Sequence, residues 1–226
     1  MDTVGLQNNY HRIAETIPST VALVAVSKYQ PSEAIEVLYR QGHRVFGESH
    51  VQELSKKHEL LPQDIQWHFI GHLQTNKVKY IAPYISMIES VDSLRLCEEI
   101  NKQALKCNRI IDILLELHVA QEETKYGLTP AECRELLRSE AFRSCGNVRV
   151  RGLMTIASNV DDEQQIQREF QLASDTFDAI KTEFFPHDPC FDCRSWGMSS
   201  DYPMAIAHGS NMVRVGTSIF GARQYK

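Results

Sequence analysis

Eight short runs of apolar and β-branched residues recur along this chain, each followed by a stretch with helical spacing. Runs of that length, alternating with amphipathic segments, are the pattern of βα units and not of an all-helical or all-strand fold. A first helix is expected at 3–16, ahead of a strand at 21–26. Pro31 then stands where a helix starts, and residues 32–39 carry helical spacing. Further strands are expected at 44–47, 66–70, 85–88, 110–118, 148–156, 192–196 and 211–215. Helices are expected at 51–60, 74–82, 93–105, from Thr129-Pro130 onward, at 162–184 and at 201–208. Asp92 is the expected N-cap of the helix at 93–105. Thr129 should cap the next one, with Pro130 at its first helical position.

Eight units in 226 residues leave about 28 residues per unit, enough for a strand and its crossover helix. With no Ser/Gly-rich linker, residues 1–226 read as one domain, a closed (β/α)₈ TIM barrel with an extra N-terminal helix. An open doubly wound sheet would want a Gly-rich turn after strand one. That turn here is Ser27-Lys-Tyr-Gln-Pro31.

A net charge of −5 weighs against a nucleic-acid partner, which calls for a basic face. No apolar run reaches the ~18 residues that a membrane span needs, and the N-terminus lacks the features of a signal peptide. A cytoplasmic protein is expected. Cys190-Phe-Asp-Cys193 with nearby His187 resembles half of a metal site or a redox pair. Nothing in the sequence completes four ligands, so free thiols and no metal are expected.

In a barrel of this type the functional residues gather at the C-terminal ends of the strands. Strand one ends in Ser27-Lys28. A strand-end lysine alone is commonly a surface residue, but in a partly desolvated barrel mouth its amine shifts toward the neutral, nucleophilic form. A neutral amine forms a Schiff base with an aldehyde. Strand eight closes with Arg214-Val-Gly216-Thr217, and strand seven with Gly197-Met-Ser199-Ser200. Loops after strands seven and eight commonly hold a phosphate on backbone N–H groups. Ser199, Ser200 and Thr217 offer hydroxyls, and Gly216 lets the backbone come close; simple helix capping is the alternative, but two hydroxyl clusters on neighbouring strand ends favour a phosphate. Alternation places Met212, Arg214 and Gly216 on one face of the last strand. An inward Arg214 needs an acceptor: a pyridine nitrogen, or a carboxylate such as Asp201 or Glu48.

The segments AVSK (25–28), WHFIGHLQTNK (67–77), RGLMTIAS (151–158), GMSSDY (197–202) and MVRVGTSIFGAR (212–223) resemble the pyridoxal-phosphate homeostasis proteins. These are single barrels similar to the N-terminal domain of alanine racemase, and the match runs in order over nearly the whole chain. The resemblance implies pyridoxal 5′-phosphate as cofactor, Lys28 as the Schiff-base lysine and Arg214 facing the pyridine nitrogen. It implies Ser199, Gly216 and Thr217 around the phosphate, and it places Met154, His68 and Asn76 near the mouth. Core packing for Met154 and a hydrogen-bonded histidine in strand three for His68 are the alternatives. One block departs from the family, which usually shows FGENYVQE: here Ser49 and His50 replace the Asn and Tyr, while Glu48 and Glu53 remain.

An arginine cannot accept the proton of a pyridinium, so an Arg214 partner keeps the ring a weak electron sink. Alanine racemase also draws a tyrosine base from a second domain, for which this sequence shows no segment, although Tyr29 and Tyr202 are tyrosines of its own. The expectation is a protein that balances vitamin B6 within amino-acid metabolism, with little turnover, delivering cofactor to pyridoxal-phosphate-dependent apo-enzymes. The alternatives are an amino-acid racemase or related enzyme, and a sugar-phosphate barrel whose Lys28 reacts with a ketose.

Overall fold

The computed structural model describes residues 2–120 and 126–221. The apolar runs pair side by side, all parallel and in chain order, into a closed barrel. Its strands are β1 (Ala22–Val26), β2 (Val45–Glu48), β3 (Gln66–Phe69), β4 (Met87–Val91), β5 (Ile111–Leu117), β6 (Val148–Thr155), β7 (Cys193–Met198) and β8 (Met212–Val215). Closure comes from β8 returning to β1, with Ala22 opposite Met212 and Ala25 opposite Val215.

Helix α1 (Thr3–Thr16) precedes the barrel, and α2 (Ser32–Arg40), α3 (Val51–Leu60), α4 (Val78–Ile81) and α5 (Leu94–Lys106) follow strands one to four. The rest are α6 (Pro130–Arg138), α7 (Glu140–Arg143), α8 (Glu163–Phe184), α9 (Tyr202–Ala207) and α10 (Thr217–Phe220). Their apolar stripes bury Ile35, Leu38, Leu54, Ile100, Phe170 and Phe177 against the outward faces of the strands. Because strand side chains alternate, the inward positions form a separate layer: Met87, Leu114, Met154 and Cys193, with Met212 beside them. Two residues further along the same strands that layer turns polar, at Glu89, Ser195 and Arg214, all buried.

Several boundaries differ from the sequence expectation. Ser93, not Asp92, caps α5, its hydroxyl accepting the Leu96 N–H. The fourth strand runs from Met87 to Val91 and so includes Glu89, the residue that breaks its apolar run. The helix expected at 74–82 is a 3-10 turn, Thr75–Lys77, followed by the single turn of α4. Helix α7 was not expected. The last family-like block ends in Ala222 and Arg223, which lie outside the described residues. Cys190 and Cys193 are free thiols that part company: Cys193 lies inside the barrel against Met212, and Cys190 accepts from Arg151 through its carbonyl. No helix among the described residues is long and apolar enough to cross a membrane.

Candidate functional site

A cavity of about 250 Å³ opens at the C-terminal ends of β1, β7 and β8. It is lined by Lys28, Ser199, Ser200, Arg214, Gly216 and Thr217, with Val26, Ile70, Ile156 and Met198 as apolar wall. Six of the nine residues named from the sequence therefore meet in one place. The other three do not line it. Met154 is fully buried in the layer beneath, His68 lies in the polar layer bonded to Glu89, and Asn76 is exposed on the 3-10 turn.

The β7 and β8 ends present hydrogen-bond donors. The Ser199 hydroxyl oxygen accepts the Gly216 N–H at 3.1 Å, which leaves its own O–H to donate. The N–H groups of Thr217 and Ser218, at the start of α10, have no acceptor among the described residues, as the first turn of any helix dictates. Small anions suit such a corner. Gly216 is needed for a reason other than room for a ligand: a Cβ there would stand 3.3 Å from both Cβ and the carbonyl oxygen of Val26. The end of β8 presses directly on β1.

Arg214 forms the floor. Its Nη1 donates to the Ser195 carbonyl at 2.8 Å and to the Ser195 hydroxyl at 2.6 Å, and Nη2 donates to the Thr155 carbonyl at 2.7 Å. Its carboxylate neighbour is Glu89 at 3.8 Å, not Asp201 or Glu48. Asp201 accepts the Met198 N–H at the start of α9, and Glu48 points to Ser27 and Lys57. Glu89 also accepts from the Ser195 hydroxyl at 2.6 Å and meets His68 Nδ1 at 2.7 Å. Burial disfavours its charge, but the hydrogen bond and charge of His68, with Arg214 and Ser195, outweigh burial and hold it below the usual carboxylate range. Three of the five guanidinium hydrogens are thus spent and two remain, and Arg214 is part of the cavity lining.

The backbone on either side of Lys28 is clamped. Buried Lys57 on α3 donates to the Ser27 carbonyl at 2.8 Å and to Glu48 and Glu53 at 2.7 Å each. Ser27 Oγ donates to Glu48 at 2.5 Å, and Glu53 accepts the Tyr29 N–H at 2.7 Å. Tyr29 itself is held at φ +64°, a conformation a bulky residue adopts only when its surroundings impose it. Burial raises the Glu48 carboxyl to about 7, against the pull of Lys57. Ser49 and His50, the two departures from the family pattern, hydrogen-bond each other at 3.1 Å. They line a second cavity of about 460 Å³ that reaches Lys28 from the β2 side.

Sequence reasoning missed Lys57, Glu89 and Ser195. Lys57 lies in a charged helix segment that reads as solvated. Glu89, a carboxylate directly after the expected fourth strand and before Ser90-Val91, was the one available signal.

The family model of the alanine racemase N-terminal domain matches residues 1–224. A pyridoxal phosphate homeostasis protein of Aquifex aeolicus is 41% identical over 207 residues, 90% of this chain and 87% of that protein. Among solved structures, PipY of Synechococcus elongatus, determined with PLP bound, superposes with a TM-score of 0.85 at 32% identity, covering 96% of this chain and all of that one. An alanine racemase of Clostridium difficile shares the fold at 15% identity and a TM-score of 0.75; this chain spans 58% of it.

Proposed function

The chain belongs to the pyridoxal phosphate homeostasis proteins, within the alanine racemase N-terminal-domain family, and on that premise we propose that it carries pyridoxal 5′-phosphate on Lys28. The observation that carries this reading is the shared cavity, in which one lysine faces the hydrogen-bond donors of the β7 and β8 ends. The residues fit the cofactor. Ser199 O–H and the N–H groups of Thr217 and Ser218 suit a phosphate, and a remaining N–H of Arg214 suits an unprotonated ring nitrogen. Bound pyridoxal phosphate supplies an aldehyde for amines and an electron-withdrawing ring. Lys28 supplies the amine, and the Lys57, Glu48 and Glu53 clamp fixes the backbone that aims it.

Arg214 sets the limit on catalysis. Held by Ser195 and Thr155 beside Glu89, its guanidinium offers the cavity hydrogen-bond donors but no acid. The site is accordingly a carrier with slow turnover, acting in cytoplasmic vitamin B6 balance and delivering cofactor to apo-enzymes, with residues 1–226 as one unit. Spectrophotometric titration with pyridoxal phosphate tests the phosphate corner. Thr217→Ala and Ser199→Ala should each weaken binding by about 1–3 kcal/mol, the loss of a charge-assisted hydrogen bond at a partly buried site. Unchanged affinity in both variants would move the phosphate elsewhere.

A further inference from the structure

An arginine that lines a cavity ordinarily takes a carboxylate or a phosphate there, because its planar fork matches two anionic oxygens. Arg214 is placed otherwise. It is 3% exposed, and Glu89, which does not line the cavity, is fully buried beside it. The Ser195 and Thr155 groups that take three of its hydrogens are neutral. Glu89 is the one carboxylate within ion-pair distance of it among the described residues, with 3.8 Å between Nη1 and Oε2. The Ser195 hydroxyl bridges the two. It accepts from Nη1 at 2.6 Å and gives its single hydrogen to Glu89 Oε2 at 2.6 Å, a direction fixed by an arginine's inability to accept. The other Glu89 oxygen faces His68 Nδ1 at 2.7 Å, and an ionised carboxylate puts the proton of that contact on Nδ1. Two further titratable groups feel this layer. Burial pushes the Cys193 thiol up, so it stays neutral. Glu116 on β5 is raised, by burial first, to about 7, and is ionised at pH 8.

We propose that Glu89 is a specificity-determining residue of the cavity: an internal carboxylate that occupies Arg214 from within the barrel, keeps anions off the arginine floor and leaves them to the Ser199, Thr217 and Ser218 corner. With its charge cancelled, Arg214 meets the cavity as a donor for a neutral acceptor. A ligand with one anionic group and one neutral ring nitrogen then has a single way to lie. The role rests on the reading of this cavity as the pyridoxal phosphate site, and inorganic sulfate tests it without the cofactor.

The test is calorimetric titration of the cofactor-free, full-length chain with sodium sulfate at pH 8, where sulfate and Glu116 both keep their charge. Glu89→Gln leaves a hydrogen-bonding side chain of the same shape and removes one negative charge. Sulfate should then bind about threefold or more tighter, a modest part of what one added charge gives at close range. The gain should persist in Glu89→Gln/Thr217→Ala, where the corner is weakened, and vanish in Glu89→Gln/Arg214→Met. A purely structural Glu89 would lower the melting temperature without raising sulfate affinity. Equal or weaker sulfate binding by Glu89→Gln, or a gain that survives Arg214→Met, would overturn the proposal. If Glu89→Gln does not fold, ¹⁵N NMR of the wild-type His68 ring decides. A proton on Nδ1 is expected, and a bare Nδ1 would mean that Glu89 is not the anion and would overturn the proposal as well. A cofactor label away from Lys28 would sink the cofactor reading and leave these outcomes as they stand, so the two fail separately.

Discussion

Lys57 is an ammonium taken out of water and repaid by three acceptors, the Ser27 carbonyl, Glu48 and Glu53. Removing one member of such a cluster strands the others, which costs more than the cluster contributes net. Lys57→Met should therefore destabilise the fold by about 3–5 kcal/mol in urea denaturation and slow cofactor attachment. Unaltered stability would mean that the clamp is ornamental. Glu116 acts in the opposite sense. Its carboxyl is raised from 4.5 to about 7 by burial first and Asp92 second. Between those pH values the unfolded chain has lost a proton that the folded one keeps, so stability falls as pH rises and levels off above 7. Relative to Glu116→Gln, the wild type should lose about 3 kcal/mol across that window. A pH-independent difference between the two proteins would contradict the assignment.

At the scale of elements, β6 has no room for a side chain where Gly152 pairs with Cys193 of β7. Gly152 sits at φ +151°, and a Cβ there would overlap the Cys193 carbonyl. Backbone cannot yield as a side-chain tip can, so Gly152→Ala should cost roughly 3 kcal/mol or more by overpacking and strain. A loss below about 1 kcal/mol would show that the two strands separate easily. The order of elements was legible in the sequence because eight apolar runs and their helical spacers repeat in alternation. Ends were legible only where local chemistry marks them, as Thr129-Pro130 marks α6 through a full capping box. Ser93 displaced Asp92 because either residue type caps a helix and only geometry selects. The cavity residues were legible because strand-end position alone gathers Lys28, Ser199, Arg214 and Thr217. The layer beneath was not. Glu89 and Ser195 are 106 residues apart in sequence, and their contact exists only once the barrel has closed.

For the molecule as a whole, closure is what makes the site. Lys28 leaves β1 and Thr217 follows β8, and they line one cavity only because β8 pairs with β1. At the opposite rim, Asp112 receives both Arg149 and Arg151, and Arg151 reaches on to Asp192, tying β5, β6 and the start of β7 together. Arg149 and Asp192 are about half exposed while Asp112 is mostly buried, so these rim pairs are only partly screened by solvent. The apolar inner layer and the helix-covered outer faces hold the ring shut. On this account the barrel is a rigid frame that sets a lysine opposite a phosphate corner and above an arginine floor. The most direct test is to load the purified chain with pyridoxal phosphate, reduce it with borohydride, digest it and locate the modified lysine by mass spectrometry. A single label is expected on Lys28, lost in Lys28→Ala. A label on Lys77 or Lys79 with Lys28 unmodified would contradict it.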